Sequence, residues 1–336
     1  MTTSGFLRRD FASAALSMFA GIVGLALTAG MAQSQTPTWP TRPIRLVLPF
    51  APGGPTDVVA RMTAQILQEG LGQAAIVENR PGAGGATGVR SVAQAEPDGY
   101  TILMGSVATL ASVPAVQKNA GFDPNKSFAH VVRLTTSSTL LIVPVSLPVN
   151  TVADFVAYAK ANPGKLNFAS AGYGNQTHLN VELFKAKTGI GLTHVPYKSG
   201  AEMVTALLAN DVQLTFSDIS VILPLVEDKR VKALAVASEQ RTPLLPDLPT
   251  AIEAGVPDFT TGFWTGLSVP AGTPAAIVNR INKVVVEGLN APNVRAALIK
   301  MGSTPSPTTP EEYTDFVAAE VVKWDNLVKQ AGIKLD

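Results

Sequence analysis

Short apolar runs alternate along the chain with longer stretches in which apolar residues repeat every three or four positions. The run Ile44–Leu48 predicts a buried strand, and the stretch from about Thr56 has helical spacing. Further strands are predicted at 75–77, 100–104, 140–143, 166–170, 193–197, 212–216, 231–237 and 265–269. Further helices are predicted at 154–161, 176–187, 275–289 and 311–331. This alternation predicts an α/β protein with a largely parallel sheet covered by helices on both faces.

The N-terminal segment has the pattern of a secretory signal. Arg8 and Arg9 precede an apolar stretch without charges, and the small residues around Ala32 suit a cleavage site. We therefore predict a signal peptide over residues 1–32 and a short linker over 33–43, and expect a periplasmic protein. A permanent membrane anchor is the alternative, and two adjacent arginines also fit a twin-arginine export signal.

Composition excludes several classes of function. Removal of residues 1–32 lowers the basic residues from 26 to 24 and the acidic residues from 25 to 24. The resulting net charge near zero argues against a nucleic-acid-binding face. The absence of cysteine excludes disulfides and thiolate chemistry, and the three histidines lack paired metal-ligand spacing. We therefore predict no metal and no cofactor, and expect a monomer.

Two glycine-rich segments stand between a predicted strand and a predicted helix. The first is PFAPGGPTD at 49–57, and the second is SAGYGN at 170–175. Glycines let a ligand approach the backbone, and free N–H groups at a helix start attract anions. Two such loops facing each other predict a clamp for a small carboxylate at the carboxyl ends of the strands. Asp57 would repel an anion, so we expect it to cap the helix or brace the loop.

Two segments resemble enzyme sequence motifs, but each lacks a residue that the motif requires. The nucleophile elbow G-x-S-x-G would need glycine at Phe168, and the dinucleotide fingerprint meets Thr87 where its last glycine should stand. An exported hydrolase that uses Ser170 and a histidine stays as a remote alternative. We therefore expect a binding protein and not an enzyme.

At these segments the chain resembles the substrate-binding proteins of tripartite tricarboxylate transporters, the TctC-like or Bug receptors. The matching segments are WPTRPIRLVLPFAPGGPTDVVAR, VENRPGAGGATG, EPDGYTILMGS, FASAGYGNQTHLNVELF, HVPYKS, VKALAVASEQRTPLLPDLPT and FWTGLSVPAGTP. They span about residues 38–336. The resemblance implies a type II periplasmic-binding-protein fold of two α/β lobes with a ligand cleft between them. The first lobe would comprise 44–138 and 262–336, and the second 139–261.

The resemblance also implies the ligand-binding residues. In the first loop they are Phe50, Gly53, Gly54 and Thr56, and in the second they are Gly172, Gly174, Asn175, Thr177 and His178. Ser106 and Thr109 are expected to meet the distal half of the ligand, and Tyr197 and Asp218 are weaker candidates.

Three departures from the family pattern bear on the identity of the ligand. Asn175 replaces the usual serine, Ser199 replaces the glycine of YKG, and NDVQ at 210–213 replaces G-x-V-D. The implied function is capture of a small mono- or dicarboxylate, which can be an aromatic acid, and its delivery to membrane transporter subunits. The alternative is a sensor that presents its closed form to a membrane signalling receptor. Because a sensor needs the same cleft, the sequence does not separate the two functions.

Overall fold

Apolar strands end in the two glycine-rich loops, and helices start there. The computed structural model describes residues 39–117 and 119–330. The strands are β1 (Ile44–Leu48), β2 (Ala75–Asn79), β3 (Thr101–Ser106), β4 (Phe128–Ser137), β5 (Thr139–Pro144), β6 (Asn167–Ser170), β7 (Thr193–Pro196), β8 (Thr215–Asp218), β9 (Val231–Val236), β10 (Phe263–Pro270) and β11 (Thr304–Pro305).

Helices connect most of these strands. They are α1 (Pro55–Leu71), α2 (Ala86–Ala93), α3 (Val113–Val116), α4 (Val152–Ala161), α5 (Gln176–Thr188), α6 (Gly200–Leu208), α7 (Ile219–Glu227), α8 (Ala275–Asn290), α9 (Pro292–Lys300) and α10 (Pro310–Gln330). A 3₁₀ turn at Ala83–Gly85 precedes α2, and a π-helical turn at Ala108–Ser112 precedes α3. Among the described residues, no helix is both long enough and apolar enough to cross a membrane. The predicted signal peptide lies outside the described residues.

The strands form one large sheet and a second group of smaller sheets. The large sheet has the order β11-β4-β10-β3-β1-β2. The second group comprises β8-β5-β9 and β6-β7, which a bridge between Phe168 and Leu214 connects. The chain passes from β4 to β5 at Ser138 and returns to the large sheet before β10. These two passages support the predicted lobe limits, which stay a prediction.

The expectation of a largely parallel sheet is wrong. Pairs β1–β2, β1–β3 and β6–β7 are parallel, whereas β10 runs antiparallel to both β3 and β4, and β5 runs antiparallel to β8 and β9. The reason is that β10 returns from the second group of strands and inserts between β3 and β4. Hydrophobic periodicity carries no information about the direction of a strand that arrives from so far along the chain.

Most predicted elements are present with shifted ends, and six were missed. The strand predicted at 212–216 begins only at Thr215. The missed elements are β4, β11, α3, α6, α7 and α9. Arg133 and a polar end interrupt the apolar pattern of β4, and Pro224 lies inside α7. A proline inside a helix is a breaker in any reading of local sequence.

The described residues from Arg42 onward belong to one compact unit, in which helices contact both groups of strands. Leu179 of α5 packs into the hydrophobic cluster of the large sheet, beside Leu110, Trp264 and Trp324. Leu327 of α10 packs against the cluster of the second group. Trp264 and Trp324 are both buried in the core.

Candidate functional site

The first glycine loop is held from behind by an ionised aspartate. Asp57 is 5% exposed, and its carboxylate accepts hydrogen bonds from Gly53 N (3.2 Å), Arg61 Nε (2.9 Å) and Asn79 Nδ2 (3.1 Å). Asn79 Nδ2 also donates to the carbonyl of Phe50 at 3.1 Å. Burial works against ionisation, but these hydrogen bonds outweigh it and lower the pKa of Asp57 below its ordinary value. Asp57 therefore braces the loop, and Gly53 N–H is used within the protein.

Loss of this brace should destabilise the protein. Asp57→Ala removes three hydrogen bonds to a buried charge, so we expect the free energy of unfolding to fall by about 2 kcal/mol. Arg61→Ala is the matched variant, because the Arg61 side chain is 59% exposed and its loss should cost less than about 1 kcal/mol. Urea denaturation measures both changes. Equal losses in the two variants would show that the salt bridge, and not the brace, stabilises this loop.

A close contact between backbones fixes where the first loop leaves β1. A Cβ atom at Gly88 of α2 would lie 2.8 Å from the carbonyl oxygen of Arg80 and 2.9 Å from Cα of Pro49. Only a residue without a side chain fits there, so α2 packs directly against the first residue of the loop. Thr109 of the π-helical turn lies against Gly85, and Gly85 also faces Pro49.

Ser106 and Thr109 are fully buried in this structure. Thr109 Oγ1 accepts a hydrogen bond from Ser106 N at 3.0 Å and donates to the carbonyl of Ser106 at 3.2 Å. The pair stabilises the turn that follows β3. Neither side chain reaches the surface, so a contact with the distal half of a ligand stays a prediction that would require this turn to move.

The second glycine loop is closed by its own hydrogen bonds. Ala171 N donates to Thr177 Oγ1 at 2.9 Å, Gly172 N donates to Ser170 Oγ at 3.2 Å, and Gly174 N donates to His178 Nδ1 at 3.1 Å. Gly172 and Gly174 have φ of 113° and 70°, which L-residues rarely adopt, and this explains glycine at both positions. The N–H groups of these two glycines are therefore used within the protein.

Asn175 is the N-cap of α5. Its Oδ1 accepts from Thr177 N at 3.1 Å and from Thr177 Oγ1 at 3.3 Å. The replacement of the family's serine by Asn175 thus keeps the cap and adds an amide group, Nδ2, beside the loop.

The helix starts leave a different set of backbone donors. In the described part of the chain, the N–H groups of Gly54 and Thr56 at α1, and of Tyr173 and Gln176 at α5, have no acceptor in the protein. A built Cβ at Gly54 meets nothing within 4 Å, so open space lies in front of this part of the loop. The sequence analysis did not identify Tyr173 and Gln176 as donors, because it relied on the glycines of the motif and not on the residues next to them.

Gln176 and Leu179 place the second loop against the segment that leads back to the large sheet. Gln176 Nε2 donates to the carbonyls of Thr261 at 3.2 Å and Gly262 at 2.9 Å, where the chain returns to the large sheet. The same helix packs Leu179 beside Leu110 of the turn after β3. That turn touches Gly85, which faces Pro49 at the start of the first loop. The contacts therefore connect the two glycine loops through one turn.

His178 lies in a stack of aromatic rings beneath the second loop. The centroid of its ring lies 4.0 Å from that of His194, and the nearly parallel ring of Phe168 lies 4.8 Å from His194 and 5.9 Å from His178. Tyr173 meets His194 edge-on at 4.6 Å. Burial lowers the pKa of His178 and of His194 to about 4, so both imidazoles are neutral at neutral pH.

Acidification should destabilise the protein through its histidines. Burial also lowers the pKa of His130 to about 4, whereas an unfolded histidine titrates near 6.5. As the pH falls from about 6.5 to about 4, these histidines become protonated in the unfolded chain but stay neutral in the folded chain. We expect the free energy of unfolding to fall in this window, with a slope approaching about 1.4 kcal/mol per pH unit for each histidine. Urea titrations between pH 7.5 and 4.5 measure the slope, and a flat profile would contradict the buried neutral state.

Ser170 and His194 do not form the nucleophilic pair of a hydrolase. Ser170 Oγ lies 2.6 Å from His194 Nε2, but the serine is 0% exposed and its hydroxyl also bonds Gly172. Within the described residues, His194 Nδ1 has no partner, so no acidic group orients the ring. The pair fixes the loop and does not reach a substrate.

Tyr197 follows β7 and Asp218 ends β8, and both contribute to the scaffold. Tyr197 N donates to the carbonyl of Ser170 at 2.8 Å, and burial together with the charge of Asp211 raises the pKa of the Tyr197 phenol. Asp218 caps α7 by accepting from Ser220 N at 2.8 Å, and it also accepts from Ser137 Oγ. Burial raises the pKa of the Asp218 carboxyl, although these hydrogen bonds act against it. Their roles toward a ligand stay predictions.

Two cavities in the structure lie away from both loops. A cavity of about 510 Å³ is lined by Ser138 and Gly262, where the chain passes between the two groups of strands, and by Gly302, which follows α9. Its two cations, Arg241 and Lys323, are paired with Glu253 and Glu320. A cavity of about 860 Å³ lies beside residues 244–249.

Comparison with known families decides the identity of the fold. The family described as "Tripartite tricarboxylate transporter family receptor" matches residues 59–333. The chain belongs to this family. Its receptors are periplasmic solute-binding proteins and not enzymes, and the two-lobed fold of periplasmic binding proteins is therefore that of this receptor.

Relatives of this receptor extend over its whole folded part. Protein BugT of Bordetella pertussis is 33% identical over 317 residues, which cover 94% of this chain and 97% of BugT. The structure of R. palustris Rpa4515 with adipate is 38% identical with a TM-score of 0.83, covering 88% of this chain and 99% of that one. MatC from Rhodopseudomonas palustris with bound malate is 33% identical with a TM-score of 0.81, covering 86% and 100%.

Proposed function

We propose that this receptor captures a small mono- or dicarboxylate between its lobes and delivers it to the membrane subunits of a tripartite tricarboxylate transporter. The observation that carries the proposal is the pair of glycine loops, each of which ends a strand and starts a long helix. Relatives with adipate and with malate support a carboxylate ligand of about this size.

The proposed donors are the groups that the protein leaves without an acceptor. They are the N–H groups of Gly54 and Thr56 in the first loop, of Tyr173 and Gln176 in the second, and Nδ2 of Asn175. The partial positive charges at the N-termini of α1 and α5 add to their attraction for an anion. In this proposal Gly53, Gly172 and Gly174 shape the loops. The sequence analysis had expected them to bind the ligand directly.

We propose that, among the described residues, neutral donors rather than a dedicated cation hold the anion. Arg61 is bound to Asp57, Lys185 is bound to Glu182, and the two imidazoles beneath the second loop are neutral. Neutral donors and ordered water suit a carboxylate in a cleft that must release its ligand. Shape and the remaining polar groups of the cleft then select one acid among many.

Binding is coupled to closure in this proposal. A ligand that contacts loops on both lobes binds the closed arrangement more tightly than the open one, and so shifts the population toward it. Membrane subunits that recognise the closed form would receive loaded receptors. Co-purification of the transporter subunits with the receptor, with and without ligand, tests this step, and a signalling receptor recovered instead would favour the sensor.

Export is the remaining part of the proposal. Cleavage after Ala32 should leave a mature chain that begins at Gln33, and mass spectrometry of the periplasmic fraction measures the mature N-terminus. An uncleaved chain in the membrane fraction would show the anchored alternative.

A thermal-shift screen against carboxylic acids at fixed pH tests the ligand class. The library should contain adipate, malate, longer dicarboxylates, tricarboxylates and aromatic acids. A ligand at 100 times its dissociation constant stabilises the fold by about 2.7 kcal/mol, which raises the melting temperature by several degrees. A shift confined to one group of acids would support the proposal and define the class. A folded, ligand-free receptor that responds to none of them would contradict carboxylate capture.

A further inference from the structure

Two histidines hold the backbone of the second loop from below. His178 Nδ1 accepts the N–H of Gly174 at 3.1 Å, and His194 Nε2 lies 2.6 Å from Ser170 Oγ. The same Ser170 hydroxyl accepts Gly172 N–H and bonds the Gly172 carbonyl. Each of the two glycines that flank Tyr173 is therefore fixed by one imidazole, directly or through a serine.

We propose that His178 and His194 are positioning residues for the ligand, and that His178 shapes the second loop only while its imidazole is uncharged. This inference rests on the proposed function, because it concerns the loop whose Tyr173 and Gln176 N–H groups face the ligand.

The bond to Gly174 requires a neutral ring at His178. An imidazole nitrogen accepts a hydrogen bond only when it carries no proton. Protonation of His178 would place two N–H groups against each other, and Gly174 would have to move away. Because Gly174 directly precedes the cap of α5, this movement would displace the donors at the helix start.

A charge on either ring is also opposed by the surroundings. The rings of His178 and His194 stack at 4.0 Å, so two positive charges would repel strongly. On α5, Lys185 repels a proton, whereas Glu182 lies 3.8 Å from His178 Nε2 and attracts one. Lys185 binds this glutamate at 2.8 Å, which reduces its attraction. Among the described residues of the strand and the loop, the uncharged rings of Phe168 and Tyr173 face the pair. The lowered pKa values of both histidines agree with this balance.

The consequence is a receptor whose ligand loop loosens in acid, as the pH approaches the lowered pKa of His178, about 4. Affinity for a dicarboxylate should fall between pH 5.5 and pH 4 more steeply than ionisation of the acid explains.

Amide NMR tests the brace without a ligand. In the wild-type receptor, the Gly174 amide shift should change with pH together with the His178 imidazole signals. His178→Leu removes the acceptor and should raise the hydrogen-exchange rate of the Gly174 amide at least tenfold at pH 6.5. His178→Gln keeps an acceptor that does not titrate, so it should restore protection and flatten the pH dependence.

His130→Gln is the matched control. His130 is equally buried and bonds Ser268 and Pro124 in the first lobe, far along the chain from the loop. It should leave the Gly174 amide unchanged. A Gly174 amide that ignores the titration of His178, or that exchanges equally in wild type and His178→Leu, would overturn the inference. If the leucine variant does not fold, the wild-type titration and His178→Gln still decide it.

Adipate and malate serve as the binding probes. If either binds, its affinity should fall more between pH 5.5 and pH 4 in the wild type than in His178→Gln, and equal losses would overturn the inference. If no acid in the carboxylate library binds, the proposed function fails, while the amide data decide the brace independently.

Discussion

Gly54→Val should raise the dissociation constant for the carboxylate at least tenfold, which corresponds to about 1.4 kcal/mol of binding free energy. Gly54 is the N-cap of α1, with φ of −83° and ψ of 170°. Valine adopts this extended conformation without strain. A Cβ at Gly54 meets no atom within 4 Å, so the added side chain projects into the space that the proposed ligand needs. The free energy of unfolding should change little.

The control for this variant is Gly191→Val. Gly191 is exposed, lies between α5 and β7, and also has no atom within 4 Å of a built Cβ. Calorimetry with the acid found in the thermal-shift screen gives the affinities, and urea denaturation gives the stabilities. Unchanged affinity in Gly54→Val would remove the first loop from the binding site. A loss of affinity in both variants would point to a general effect of valine.

Gly266→Ala should be the most destabilising of the changes considered, with a loss of about 3 kcal/mol in the free energy of unfolding. Gly266 lies in the middle of β10, between β3 and β4. A Cβ there would lie 2.8 Å from the backbone carbonyl of Val132 and would also collide with the ring of Tyr313. Tyr313 is 0% exposed, and the carbonyl belongs to a paired strand, so neither group can move cheaply.

Gly262→Ala is the matched control at the start of the same strand. Its Cβ would meet only the carbonyl of Ser137 at 3.7 Å, an ordinary contact, so the loss should stay below about 0.5 kcal/mol. Urea denaturation of both variants gives the difference. A small loss in Gly266→Ala would mean that Tyr313 can rotate away and that the packing of α10 on the sheet is loose.

The two glycine loops were predictable from the sequence, whereas the hydrogen-bond partners of their N–H groups were not. Glycines between a strand and a helix marked both loops, because positive φ values and close backbone approach leave a visible trace in sequence. The partners of the glycine N–H groups leave no such trace. Gly53 donates to Asp57, and Gly174 donates to His178, through contacts that only the folded loop creates. Tyr173 and Gln176 were overlooked for the same reason.

The sequence by itself determined the local elements, the class of fold and the family. Apolar runs such as Ile44–Leu48 and the helical stripe after Thr56 record burial directly, and long ordered motifs record descent. The tertiary structure alone decided the direction of β10, the burial of Ser106 and Thr109, and the stacking of His178 on His194. Each of these features depends on contacts that the folded chain creates, several of them between residues far apart in the sequence. Hydrophobic periodicity indicates whether a residue is buried, but not which residue packs against it.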